Sequence, residues 1–362
     1  MKKVIKYSFP ALLAILICLS CSDDSVEPDQ QAFDFSRLYV SLEEYGTSNS
    51  GLPDTNIRVV RRADSTVFSF DTTHLSPARG GGPIYFNPFL KALIQASANP
   101  TGANDPSLYV VNINDKGELA NASASMTSNF FSSVKGLAYH RASDALFVVN
   151  ANGENSGIYV VDRPKNMSRN QKPRKNLFTG NLPMWGAAYK SNQLFVSKQG
   201  DNGGIYVFDN IATVRVNPVD SSAQFAPSRT LEIDGAKNLR GLCYDTLKNV
   251  LAITDYTDGT TVGTGRILIF EAFGTMLSGS KLEPTRIITG AATQLTQPVD
   301  VAIDSRATGQ YIYVADKTKK IFRFKITDNG NVQPDKILDT EEFGTPVGLA
   351  LDSRDESTIP LF

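Results

Sequence analysis

One apolar phrase returns through this chain at nearly regular intervals. It reads Lys135-Gly136-Leu137-Ala138-Tyr139-His140, then Trp185-Gly186-Ala187-Ala188-Tyr189-Lys190, then Arg240-Gly241-Leu242-Cys243-Tyr244-Asp245. It returns as Val299-Asp300-Val301-Ala302-Ile303-Asp304 and as Val347-Gly348-Leu349-Ala350-Leu351-Asp352. The starts at 136, 186, 241, 300 and 348 lie 50, 55, 59 and 48 residues apart. Each phrase is followed by a second apolar segment, at Ala145–Asn150, Gln193–Lys198, Asn249–Asp255 and Gln310–Asp316. A third follows at Gly157–Asp162, Gly204–Asp209, Gly265–Phe270 and Lys320–Lys325, and a weaker fourth starts at Arg174, Arg229, Arg286 and Asp335. Such short segments between turn signals read as strands. Four strands with their turns need a repeat of about 40 to 50 residues, which loops can lengthen.

A diverged copy precedes these, at Gly82–Asn87, Ala92–Ala96 and Leu108–Ile113. The last phrase has almost nothing after it, while the N-terminal part supplies Arg37–Ser41, Asn56–Arg61 and Val67–Phe70 as second, third and fourth strands. The expectation is an all-β fold, a single six-bladed β-propeller over residues 36–362. Its last blade is closed by N- and C-terminal strands together, which removes exposed sheet edges. Seven blades would follow if Glu356–Phe362 held a further strand.

The N-terminus is read as processing signal rather than fold. Lys2, Lys3 and Lys6 precede an apolar run from Phe9 to Leu19, the length of a signal-peptide core and short for a membrane span. Leu19-Ser20-Cys21 resembles the lipobox of bacterial lipoproteins, although Cys18 stands where that family prefers Leu or Val. The resemblance implies a signal peptide over 1–20, lipidation of Cys21 and a flexible tether over 21–35. More than one acyl chain suffices for stable anchoring to a membrane. Ser22-Asp23-Asp24 resembles the acidic stretch of Bacteroidetes lipoproteins, which implies an outer-membrane envelope location with display on the outer surface.

Composition narrows the chemistry. There are 36 Lys and Arg against 37 Asp and Glu, and near-equal totals argue against nucleic acid as a partner. The only histidines are His74 and His140, too few for a His-rich metal site and leaving little choice for a triad. After cleavage Cys243 has no cysteine to pair with, so no disulfide staples the fold. It reads as a small core residue. A closed ring needs no partner to finish its sheets, so a monomer is expected.

The run Pro298-Val299-Asp300-Val301-Ala302-Ile303-Asp304, with Tyr311–Asp316 and Ile321–Phe324, resembles an NHL-type propeller repeat. Ile205–Asn210 with Pro227–Leu231, echoed at Ile267–Phe270 and Pro284–Ile288, resembles secreted bacterial propellers of the NHL and lactonase-like group. The likeness covers about residues 130 to 352 and implies fold more than function.

Two sets of residues could carry function. The turn into each innermost strand borders the central channel, which gathers Lys135, Trp185, Arg240 and Asp300 at one mouth. An indole offers a stacking face and the cations offer hydrogen-bond donors, which suits an anionic or sugar-like ligand. The second set, Asn150, Asp255 and Asp300, could supply oxygen ligands to one divalent cation, calcium or zinc. Asp316 ends its strand in the same phase and reads instead as a turn tie. Asp245, Asp304 and Asp352 share a phase with Lys190 and His140, so that phase is a turn position. No catalytic residue stands out. The favoured reading is a non-enzymatic binding or scaffold protein for a glycan, peptide or protein partner, without a cofactor. The alternative is a metal-dependent lactonase or esterase at the channel. The lactonase-like group implies an acidic residue before a Gly-Pro phrase, whereas Arg79-Gly80-Gly81 precedes Gly82-Pro83 here.

Overall fold

The structure, a computed structural model, describes residues 35–44, 55–99, 104–151 and 153–355. The chain divides into Met1–Phe33 and Asp34–Phe362. The signal peptide, Cys21 and the segment from Glu356 lie outside the described residues, as does nearly all of the tether.

The described residues form six sheets, the six blades of a propeller, antiparallel except for one added parallel strand. Blade 1 is Gly81–Asn87, Ala92–Ser97, Ser107–Ile113 and Leu119–Thr127. Blades 2 to 5 begin with inner strands Val134–His140, Met184–Lys190, Leu242–Asp245 and Pro298–Ile303. Blade 6 takes its inner strand, Pro346–Asp352, from the end of the chain and Arg37–Leu42, Ile57–Val60 and Thr72–His74 from its beginning. The clasp is an antiparallel ladder running from Arg37 opposite Asp352 to Ser41 opposite Gly348. The expected six-bladed ring with a shared closing blade is thus the fold.

Alternation along the strands makes the blade interfaces. Leu349 packs back toward Val299 and Tyr313 of blade 5, while Ala350 packs forward against Ile84 and Phe86 of blade 1. Period-two alternation gives each inner strand two apolar faces, one for each neighbour.

The inner strands meet most closely at one level, the waist of the channel. A side chain on Gly136 would place its Cβ 2.7 Å from Trp185 O, and one on Gly186 would lie 2.5 Å from Leu242 N. Gly348 would meet Gly82 O at 2.8 Å. Glycine recurs in this phase because backbone meets backbone there: Gly241 N donates to Val299 O at 2.9 Å.

Three outer elements differ from the expectation. Val67–Phe70 is not a strand. Phe68 is instead a buried plug, stacked 6.1 Å from Tyr313, with the Arg323 guanidinium 5.3 Å from its centroid. The polar Thr72–His74 pairs in its place. Leu119–Thr127 was not foreseen as a strand, nor was Ser222–Gln224, which pairs in parallel with Lys175–Phe178.

Gly186→Val should destabilise the ring by about 1–3 kcal/mol in a denaturant titration, because the neighbouring backbone cannot yield. Gly279→Ala, whose Cβ would meet nothing closer than 3.5 Å, is the control expected to stay within about 0.5 kcal/mol.

Candidate functional site

A repeated fold separates what every blade needs from what one blade alone carries. The pairing registers align the inner strands residue by residue. At the waist the six residues are Pro83, Gly136, Gly186, Gly241, Asp300 and Gly348. Two positions on, they are Tyr85, Ala138, Ala188, Cys243, Ala302 and Ala350. The other blades carry Gly, Pro or Ala at both levels, so Asp300, Tyr85 and Cys243 stand out, although Tyr85 and Cys243 also pack against neighbouring core clusters. All three line one cavity of about 710 Å³ that follows the channel.

Asp300 occupies the space a glycine leaves elsewhere. Its Oδ1 accepts from Val301 N at 2.9 Å and its Oδ2 accepts from Leu349 N at 2.7 Å, bridging blades 5 and 6. Burial raises its carboxyl to about 7, against the pull of those two N–H donors. Burial likewise pushes the Cys243 thiol and the Tyr85 phenol up to about 12 each. The expected core role for Cys243 therefore needs amending: it packs toward blade 5 yet also borders the cavity. These departures could be found in the sequence once its strands were aligned by register.

The mouth lies one residue earlier, where the phase reads Gly82, Lys135, Trp185, Arg240, Val299 and Val347. Lys135, Trp185 and Arg240 do come together. The Lys135 ammonium sits 4.4 Å from the indole centroid and the Arg240 guanidinium 4.3 Å from it, reaching it from the blades on either side. Trp185 is thus an indole already engaged by two cations, rather than a bare stacking face. Arg240 donates to the Tyr256 hydroxyl at 2.8 Å, and Lys317 pairs with Glu43 at 2.7 Å on the same wall. Asp300 does not belong to the mouth; it stands at the waist, one position deeper.

Lys135 and Arg240 are half-buried cations on which the carboxylates of Glu43 and Asp255, respectively, act only from beyond salt-bridge distance. Burial lowers the pKa of both, and for Lys135 the nearby Arg240 charge adds to this. Neither forms a salt bridge among the described residues. Two partly desolvated positive charges in a concave wall make an electrostatic demand for a negative group.

The three residues considered as metal ligands are not brought together. Asn150 accepts from Ser133 N at 2.7 Å, and Asp255 accepts from Asn238 N at 2.6 Å while pairing with Arg266. Asp316 accepts from Thr296 N at 2.9 Å and Gln297 N at 3.0 Å. All three end second strands and tie the loop that leads into their own inner strand. Neither Asn150 nor Asp255 borders the cavity that Asp300 lines. That donor set does not fit a divalent cation, and among the described residues no three His, Cys, Asp or Glu side chains gather as a metal site. Asp245, Asp304 and Asp352 are turn residues: Asp245 accepts from Leu247 N and Lys248 N, and the other two pair with Arg306 and Arg354.

The sequence matches no family model and no curated protein. Among solved structures, the fold is similar to a chain of the nidogen/laminin complex, with a TM-score of 0.54, 13% identity and 88% and 98% of the two chains covered. It is similar in the same degree to the periplasmic gluconolactonase PpgL of Pseudomonas aeruginosa, with a TM-score of 0.54, 13% identity and 88% and 100% covered. At such identity the likeness shows the propeller fold alone.

The raised Asp300 carboxyl gives a stability prediction. Its folded pKa of about 7 exceeds the 3.8 of the free group, so the folded state holds the proton longer. Stability should therefore fall as pH rises from about 4 to about 7, by at most about 1.4 kcal/mol per pH unit. Asp300→Asn should flatten that slope in denaturant titrations at several pH values. An unchanged slope would assign it to other groups.

Proposed function

We propose that the protein is a lipid-anchored envelope binding protein that takes an anionic group of a glycan, peptide or protein partner at the mouth of its central channel. The observation that carries this is the layered unit of Lys135, Trp185 and Arg240. It sets two half-buried cations on a concave wall with no carboxylate in salt-bridge distance. The indole holds the cations in place, so little ordering is left for binding to impose. A carboxylate or phosphate there would gain charge-assisted hydrogen bonds and relieve the like-charge repulsion. Neutral parts of the ligand would extend over Tyr256 and Gln297, which share the wall.

Arrays of acidic and neutral glycans and peptides test this. Acidic probes should bind, more weakly as salt rises. Lys135→Ala and Arg240→Ala should each weaken binding about 10- to 100-fold, the range for a lost hydrogen bond to a charged group. Equal retention of neutral probes, or variants that bind as the parent does, would refute the reading. Anchoring is tested separately: Cys21→Ser should abolish fatty-acid labelling in cells and shift the protein out of the membrane fraction. Labelling that persists would place the lipid elsewhere.

A further inference from the structure

We propose that the face opposite the channel mouth docks on an anionic membrane surface. The strands alternate in direction, so the turns after the inner strands and the loops after the third strands share that face. Near-equal charge totals conceal what one of these loops carries. Between Arg163 and Lys175 there are six cations and no carboxylate. Arg174 pairs with Asp162, and Lys175 donates to the carbonyls of Ala212 and Val214. Arg163 and Lys172 are exposed and make no side-chain hydrogen bond or ion pair among the described residues, whereas Arg169 reaches back beside Thr127, Asp105 and Arg79 at the mouth end of blade 1.

Apolar side chains stand out on the same face. Val219 is 91% exposed, Val67 70%, Leu247 60% and Phe89 40%. All four lie in its turns or loops, and Arg141 sits 4.0 Å over the Phe89 ring. Cations interleaved with projecting apolar residues suit the headgroup boundary, where phosphate pairs with the cations and the apolar tips leave water. A soluble polyanion would use the cations but not the tips, and this favours the membrane. The chain also enters the ring on this face, where Phe35 N donates to Arg354 O at 2.9 Å, the side on which an N-terminal lipid would pull. Docked this way, the Lys135–Trp185–Arg240 mouth points away from the bilayer.

The ring closes with its own strands, so residues 34–362 without lipid can be tested directly for co-sedimentation with vesicles. Vesicles containing phosphatidylglycerol should bind it, less well as salt rises, and pure phosphatidylcholine should not. The double variant Arg163→Gln, Lys172→Gln should lose about 25-fold in partitioning, at about fivefold per cation. Its melting should be unchanged, since these side chains are exposed. Val219→Trp should show blue-shifted emission only with the anionic vesicles. Three outcomes would overturn the proposal: no vesicle binding, equal binding to phosphatidylcholine, or a double variant that binds as well as the parent. Binding to heparin without binding to vesicles would reassign the loop to a soluble acidic polymer.

Discussion

The ring depends on backbone meeting backbone at the channel waist. Where Gly136, Gly186 and Gly241 stand, any side chain would strike the inner strand of the next blade. Close approach at that level sets the radius of the ring. It also leaves the inner strands parallel to one another, with their starts gathered at one mouth and their ends on the opposite face. The clasp between Arg37–Leu42 and Pro346–Asp352 holds that geometry closed with ladder hydrogen bonds.

Because the blades repeat, symmetry itself becomes informative. Asn150, Asp255 and Asp316 do the same task in three blades, which explains their polarity without any ligand. Asp300, Tyr85 and Cys243 stand where the other blades carry Gly, Pro or Ala, and they border a cavity of about 710 Å³. Asp300 replaces a glycine at the tightest level and gives each carboxylate oxygen a backbone donor. Even so, burial outweighs those bonds, and its proton is held near neutrality.

Charge is distributed unevenly over the two faces. The mouth concentrates two partly desolvated cations around an indole, suited to a single anionic group held in place. The opposite face carries exposed, solvated cations on one loop with apolar tips around them, suited to a broad anionic surface. Neither is visible in a net charge of −1. The contrast between half-buried and exposed cations separates recognition from adhesion.

The inner, second and third strands were legible in the sequence because period-two alternation between tight turns is a local property, repeated with its glycine in phase. So was the shared closing blade, since the missing strands at one end were present at the other. The outer elements were not: Phe68 has the apolar character of a strand but fills a gap beside Tyr313, whereas Thr72–His74 pairs through backbone groups that composition does not report. The sequence alone placed Lys135, Trp185 and Arg240 together at a mouth, because each precedes the same glycine. Only the tertiary structure decided that the cations cover the indole, that Asp300 lies one level deeper, and that Asn150 and Asp255 face their own loops. The physical reason is that a bulge in the inner strands shifts which residue reaches the channel. That shift lies in the pairing of each inner strand with the second strand of its own blade, which the residue pattern alone does not report.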